Sequence, residues 1–349
     1  YLGYYVHPHI AWWLQLIAPA VPVLSILVLL GSPIALKWGR RGVRYTHVAL
    51  LILVLWRFAP DLLGVLRSGG RSLSPGNLPQ GALVVMVHNA KWKDGSDDEQ
   101  TLDLLERLQP HIVAYQEASV RFLDRGIGYS PEVVPAMRLG YGLPPLTRES
   151  QRRVNQPILT RLPAESFTEM SLSEPGTQGS SDAARAMLDW NGTQIAFYSV
   201  HLRSYLRWGL PRNPGSSTFR RIRNMINAIR ADVIARAQEA ERLRSLIRTE
   251  SRPFLIGGDL NATRHNWEYR HLRGGLIDVA RASGVLKLGT FPAAFPVLRL
   301  DHVFVSRDWK VIGADVGPEL TSDHRPLLVA VELRPTERAI TQNLTKARP

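Results

Sequence analysis

The chain has no cysteine. Disulfide frameworks, thiolate zinc sites and thiol nucleophiles are therefore excluded together, and the protein is indifferent to the redox poise of its compartment. Acidic residues are scarce as well: 30 Asp and Glu stand against 43 Lys and Arg, a formal net charge of +13. No methionine opens the chain, which begins at Tyr1 and is read as a fragment or a processed product. Apolar residues are plentiful, 45% of 349, enough for one large domain or two ordinary ones and too many for a disordered polymer.

Charge is missing altogether from Ile10 to Leu36, IAWWLQLIAPAVPVLSILVLLGSPIAL. The run exceeds the roughly 20 apolar residues that cross a bilayer, so it reads as a transmembrane helix. Pro19, Pro22 and Pro33 would break a soluble helix but are tolerated in a membrane bundle. Trp12, Trp13 and Trp38 suit interfacial aromatic belts. A second apolar run, His47 to Leu66, carries Arg57 and Asp61, four apart and placed to pair on one helix face. It reads as a second spanning helix, with a re-entrant or interfacial helix as the alternative. The first run is too long for a cleaved signal peptide, and a second follows it.

Between the runs, LKWGRRGVRYT holds Lys37, Arg40, Arg41 and Arg44. A short basic loop stays cytoplasmic, which puts everything beyond a spanning second helix outside the cytoplasm. The expected organisation is a membrane anchor over 1–67, with helices about 10–36 and 47–66, and a Gly/Ser/Pro linker over 68–81. A folded domain over 82–334 and a polar tail over 335–349 complete it. The domain's own positive excess is modest, about +7, with arginine clusters at 148–161 and 203–223; it permits an anionic substrate or a membrane surface, or simply a solvated face.

From residue 81 onward, strand-like runs alternate with helical stretches. ALVVMVH (Ala82 to His88), HIVAYQE (His111 to Glu117), QIAFYSVHL (Gln194 to Leu202), PFLIGGDL (Pro253 to Leu260), LDHVFVS (Leu300 to Ser306) and RPLLVAVEL (Arg325 to Leu333) read as strands. Asp98 to Gln109 and Arg220 to Thr249 have helical periodicity. A layered α/β domain with two packed sheets is expected.

Polar residues close these runs: Asn89, Glu117, His201, Asp259 and Asn261 each fall at or just past an apolar strand. Strand ends open onto a rim where loops and ligands meet, whereas a carboxylate inside such a run would be buried at a cost of several kcal/mol. A lone Asp, Glu or Ser-Asp-His could equally cap a turn.

In order along the chain, HNA with Asn89, QE with Glu117, YSVHL with His201, GGDLN with Asp259 and Asn261, LDHVFVS with Asp301, and SDHRP with Asp323 and His324 resemble the motifs of the endonuclease/exonuclease/phosphatase superfamily. The fold of that superfamily is DNase I-like, and the resemblance is to its membrane-anchored bacterial branch. It covers about Ala82 to Leu333, and ILTR, ending at Arg161, and GTFP, with Thr290, resemble its intermediate strands.

The resemblance implies a four-layer α/β sandwich, two packed mixed β-sheets flanked by helices, here preceded by two N-terminal transmembrane helices. It implies a metal-dependent phosphoester hydrolase in a bacterial inner or plasma membrane, its catalytic domain extracytoplasmic. Glu117 would be the main ligand of a divalent ion, with Asn89 and Asp323 close to it; oxygen donors without cysteine suit Mg²⁺ or Mn²⁺. His324 would be the general base or orient the attacking water, with Asp301 or Asp259 fixing its tautomer. Asp259 and Asn261 would hold that water and a phosphate oxygen, and His201 would stabilise phosphoryl charge or protonate the leaving oxygen. Lys91 stands where many nucleases of the superfamily carry a second acid or amide, which disfavours a second metal there; Lys91 and Arg161 are candidate phosphate contacts.

Two classes of function follow: an anchored phosphoesterase acting on nucleic acid, a lipid headgroup or a smaller phosphoester, or a non-catalytic tethered module binding an anionic partner. Retention of both histidines favours the enzyme, because a binding module has no need of them. No obligate protein partner is evident.

Overall fold

The computed structural model describes residues 1–68, 73, 81–90, 99–117, 158–173, 182–205, 218–285 and 289–335. The linker (apart from residues 68, 73 and 81), most of the 148–161 basic cluster, Lys91 and almost all of the tail lie outside the described residues.

The N-terminal region is helical but more segmented than its composition suggests. Three one-turn helices, α1 (Leu2–Tyr5), α2 (Pro8–Ala11) and α3 (Leu14–Ile17), lead through a 3-10 turn at Ala18–Ala20 into α4 (Val21–Trp38). The prolines explain the segmentation, since Pro19 sits in the 3-10 turn and Pro22 in the first turn of α4, where a missing N–H costs nothing. Gly39 ends α4: its N–H donates to the Ala35 carbonyl, and a Cβ there would collide with that same oxygen. Helix α5 (Arg41–Ser68) starts at once, so the basic segment expected as a loop is mostly helical and the true connection is Gly39 and Arg40.

Leu14–Trp38 and Arg41–Ala59 are long and apolar enough to cross a membrane, with mean hydropathies of 2.2 and 1.3. Val23, Leu24, Ile26, Leu27, Leu29 and Leu30 are exposed on α4, while its polar Ser25 and Ser32 return their hydroxyls to Val21 and Val28 carbonyls one turn back.

The remaining elements, in chain order, are β1 (Leu83–Asn89), α6 (Glu99–Leu108), β2 (Ile112–Gln116), β3 (Ile158–Thr160), β4 (Ala164–Ser171), β5 (Asp182–Trp190), β6 (Thr193–His201), α7 (Thr218–Arg248), β7 (Phe254–Asp259), α8 (Trp267–Arg273), β8 (Ile277–Asp278), α9 (Val279–Ala282), β9 (Asp301–Val305), β10 (Trp309–Val316) and β11 (Leu327–Leu333). They make a five-stranded sheet ordered β10-β11-β1-β2-β3 and a six-stranded sheet ordered β4-β5-β6-β7-β9-β8. Both are mixed: β1 pairs parallel with β2 and antiparallel with β11, and β7 pairs parallel with β6 and antiparallel with β9.

The central strands are covered on both faces, so they read as unbroken Val, Leu and Ile rather than alternating. Every residue of β1 is buried. One core lies between the sheets, with Val85 and Val87 of β1, Phe197 of β6 and Leu255 of β7, and extends to Leu104, Leu105 and Leu108 of α6. A second lies outside the six-stranded sheet, where Ala237, Ala240, Leu243 and Ile247 of α7 meet Phe254, Ile256 and Phe304. Helix, sheet, sheet and helix give the four layers expected. Gly257 lets the sheets approach, because a Cβ there would stand 2.9 Å from Val87 Cγ2 and 3.2 Å from Phe197 Cζ. Gly258 does the same within its sheet, where a Cβ would strike the Val200 carbonyl of β6.

The N-terminal helices are docked on the domain. Gln15, fully buried, donates to the Gly3 carbonyl and accepts from the Asn266 amide and the Trp267 N–H through Oε1. Arg57 donates to the Arg264 carbonyl at 3.1 Å and lies 3.0 Å from His265 Nδ1. The expected Arg57 partner, Asp61, has a side chain outside the described residues.

Candidate active site

Strand register assembles the site. Across three neighbouring strands, His201 of β6 is opposite Asp259 of β7, and Asp259 is opposite Asp301 of β9. In the facing sheet, Asn89 ends β1 and Glu117 follows directly on β2. Residues from both sheets thus converge at one end of the sandwich, where side chains of the last strand residue have no further neighbour to cover them.

Asn89 is the link between the halves. Its Nδ2 donates to Glu117 Oε1 and to Asp259 Oδ2, each at 3.0 Å. Ser322 ties the last motif to the same strand, donating to the Asn89 carbonyl at 2.5 Å and accepting from the His324 N–H at 3.0 Å. His201 Nε2 lies 3.6 Å from Glu117 Oε1, 3.8 Å from Asp259 Oδ2 and 3.3 Å from Asn261 Nδ2. Asn261 is held in turn: its N–H donates to Asp259 Oδ1 at 2.7 Å and its Nδ2 to the Leu202 carbonyl at 2.9 Å.

His324 stacks its two nitrogens between acids. Nδ1 lies 2.8 Å from Asp301 Oδ2, and Nε2 lies 3.8 Å from Asp259 Oδ2. Burial alone would lower its pKa, but the Asp301 and Asp259 carboxylates outweigh burial and push it up to about 10, with a further contribution from Asp323. Burial acts oppositely on Asp259, raising its carboxyl above the usual range despite the neighbouring histidines. For Asp301 burial is overcome by the charge and hydrogen bond of His324, so that carboxyl stays below its ordinary value. The two acids are therefore differentiated: Asp301 is the committed anion and Asp259 the one that takes a proton more readily.

Two of these residues have unusual backbones. Glu117 and Asn261 adopt left-handed conformations, φ 56° and 48°. Asn tolerates this region, but a glutamate there costs about 1 kcal/mol or more, which the neighbouring structure must offset. The Glu117 side chain is 40% exposed, while Asp259 is 1% and Asp301 0%. One carboxylate thus faces solvent from a strained position beside a buried set.

Of the sequence-derived candidates, Asn89, Glu117, His201, Asp259, Asn261, Asp301 and His324 come together. Asp323 is half-buried beside them; its carbonyl accepts from Ala293 and its charge acts on His324. Lys91 lies outside the described residues. Arg161 is a correction. Its N–H donates to the His111 carbonyl, at the opposite end of β2 from Glu117, six residues and roughly 20 Å away. An arginine side chain cannot span that distance, so Arg161 contacts no phosphate held at this site.

Two further residues support the site, Arg236, which sequence reasoning missed, and Thr290, which it named only within the GTFP segment. Arg236 of α7, fully buried, donates to the Asn261 carbonyl and to Glu268 Oε1 of α8. Thr290 accepts from the Leu300 and Asp301 N–H groups, which fixes the start of β9. Arg236 had a signal, an arginine on the apolar face of an otherwise periodic helix; Thr290 had the GTFP resemblance but nothing that pointed to its hydrogen bonds with the start of β9.

Oxygen and nitrogen donors of Asp259, Asp301 and His324 all lie within 4.8 Å of one another. A cation there would displace the His324 to Asp301 hydrogen bond. Glu117 carries the carboxylate open to solvent, beside the buried Asn89 amide whose Nδ2 donates to it.

A family profile described as the Endonuclease/Exonuclease/phosphatase family matches residues 86–324. No curated protein matches the chain. Among solved structures, the endonuclease/exonuclease/phosphatase from Bacteroides vulgatus aligns with a TM-score of 0.52 and 16% identity, over 72% of this chain and 99% of that one. A humanized D. rerio TDP2 carrying 14 mutations aligns with a TM-score of 0.53 and 17% identity, over 72% of this chain and 100% of that one. At these identities the likeness is one of fold.

Proposed function

We propose, from the premise that the chain belongs to the endonuclease/exonuclease/phosphatase family and is a phosphoester hydrolase, that it is a membrane-anchored, divalent-metal-dependent phosphodiesterase. The observation that carries this reading is the row His201, Asp259, Asp301, completed by His324 at 2.8 Å from Asp301.

The donor set fits a hard cation. Glu117 and Asn89 would hold Mg²⁺ or Mn²⁺, with Asp323 nearby, and the solvent exposure of Glu117 leaves room for the waters such ions keep. The ion would screen phosphate charge and lower the pKa of a bound water. Asp301 holds Nδ1 of His324, which turns Nε2 toward Asp259. A ring kept charged by two acids orients the attacking water and offsets negative charge, rather than taking the proton itself. Asp259, raised by burial, is the better acceptor for that proton. Asn261 would hold a phosphate oxygen, and His201 would stabilise the phosphoryl charge or protonate the leaving oxygen.

Anchoring is supported by the two apolar helices, whose exposed Leu, Ile and Val side chains would form a large apolar patch in water. With residues 1–67 as anchor, 68–81 as linker, 82–334 as catalytic domain and 335–349 as tail, the domain would stand extracytoplasmic in a bacterial plasma membrane. Nucleic acid is the substrate that the net positive charge favours. A lipid-headgroup phosphoester is favoured instead by the docking of Gln15 and Arg57 on the loop that follows Asn261. The test is hydrolysis of plasmid DNA, sphingomyelin and inositol phosphates by the full chain with Mg²⁺, using His324→Ala as the blank. Turnover of none of them would favour a non-catalytic module, and turnover persisting in His324→Ala would refute the assigned site.

A further inference from the structure

Helix α7 is longer than its place in the fold requires. Its 31 residues extend about 46 Å at 1.5 Å per residue, whereas β7, the strand it feeds, has 6 residues and spans about 20 Å. Because β6 and β7 are parallel, α7 must run back against them and begins at the end where His201 and Asp259 lie. Its first buried residue is Val233. The turns from Thr218 to Arg230, about 20 Å of helix, therefore overhang the sandwich on the active-site side.

The overhang is amphipathic in a specific way. Phe219, Ile222 and Ile226, at spacings of three and four, make one stripe and are 76%, 45% and 42% exposed. Arg220, Arg221, Arg223 and Arg230 share the segment, and no acidic residue occurs before Asp232. On a helical wheel Arg223 and Arg230 border the stripe on its Phe219 side. Folding leaves this apolar face outside both cores.

We propose that this overhang lies on an anionic lipid surface, with Phe219, Ile222 and Ile226 at the acyl boundary and the arginines among the headgroups, so that the active-site rim is turned toward the bilayer. Three things favour lipid over nucleic acid as the occupant. The stripe is aliphatic and aromatic, which phosphate backbones do not recognise, whereas a basic helix with a Phe/Ile face matches the headgroup boundary. The arginine charge complements anionic lipid. Gln15 and Arg57 seat the apolar helices on residues 264–267, just past Asn261 and so at the same end of the sheet as the overhang. The inference rests on the membrane-anchored reading and is independent of the hydrolytic one.

The chain has no cysteine, so a single Ile222→Cys variant can carry an environment-sensitive fluorophore, with Lys310→Cys, an exposed position on β10, as the control. The full chain is reconstituted in nanodiscs of phosphatidylcholine alone or mixed with phosphatidylglycerol. Expected is a blue shift at position 222 in the mixed discs, quenched by headgroup-proximal doxyl lipid, and no change at 310. Replacing Arg223 and Arg230 by Glu should weaken this association by about fivefold or more per arginine. An unshifted probe in mixed discs overturns the proposal, as does a shift produced by oligonucleotide and not by lipid. Release of the chain by alkaline carbonate overturns both the proposal and the anchored reading. Loss of hydrolysis with the lipid-dependent shift intact would count against the hydrolase alone and uphold the docking surface.

Discussion

The imidazole of His324 and the carboxylate of Asp301 lie 2.8 Å apart with neither exposed by more than 6% of its side chain. A buried, charge-assisted pair of this kind fixes both tautomer and ring orientation. Asp301→Asn keeps the shape but removes the charge, so kcat should fall by about 10²- to 10⁴-fold with KM little altered. Near-normal kcat in the purified variant would sink the role assigned to Asp301.

The same pair makes stability depend on pH. The His324 pKa is raised from 6.5 to about 10, so its contribution is complete below pH 6.5 and is lost as pH rises toward 10. Urea denaturation in EDTA should give a stability that declines across that window, and the decline should be reduced in His324→Gln. Parallel pH profiles for the two proteins would contradict the shift.

Glu117 stores backbone strain that glycine, having no Cβ, would release. At φ 56°, Glu117→Gly should leave the protein as stable or more stable, by about 1 kcal/mol, while Mg²⁺-stimulated hydrolysis disappears. Calorimetry with and without Mg²⁺ checks both halves: the metal-dependent rise in Tm should be confined to the parent protein. A glycine variant that still gains stability from Mg²⁺ would remove Glu117 from the metal site.

Gly257 sets the distance between the sheets. Gly257→Ala would place a Cβ 2.9 Å from Val87 Cγ2, an overpacking expected to cost about 1–3 kcal/mol. Combining it with Val87→Ala should recover part of that loss, because the clash and the cavity offset each other. Strict additivity of the two changes in denaturation free energy would mean that the sheets do not meet there.

The parts of the fold that were legible in the sequence were those whose local chemistry agrees with their burial. Strands β1, β2, β6, β7, β9 and β11 are apolar runs bounded by polar residues, and their ends carry the site. The strands that escaped notice are β4, β5, β10 and the two-residue β8. AESFTEMS and DAARAMLDW have little β-branched content and become strands through pairing, β5 with β6 and β4 with β5, while WKVIGADV is interrupted at a bulge between Val311 and Gly313. Tertiary pairing overrode propensity in each case. Convergence of Asn89, Glu117, His201, Asp259 and His324 was readable because family order stands in for register. Arg161 failed for the complementary reason: adjacency to a strand says nothing about which end of the sheet that strand turns toward the site.

On the proposed membrane-anchored reading, the burial of Gln15 against Asn266 and Trp267 has a kinetic consequence. A catalytic domain swinging on a slack linker would sample a hemisphere of solution, and its rate would follow bulk substrate concentration. A domain clamped at the loop beyond Asn261 keeps a constant height and tilt, so for a substrate dissolved in the bilayer its rate would follow mole fraction in the membrane. Diluting that substrate with inert lipid would slow it, and diluting the whole suspension with buffer would not.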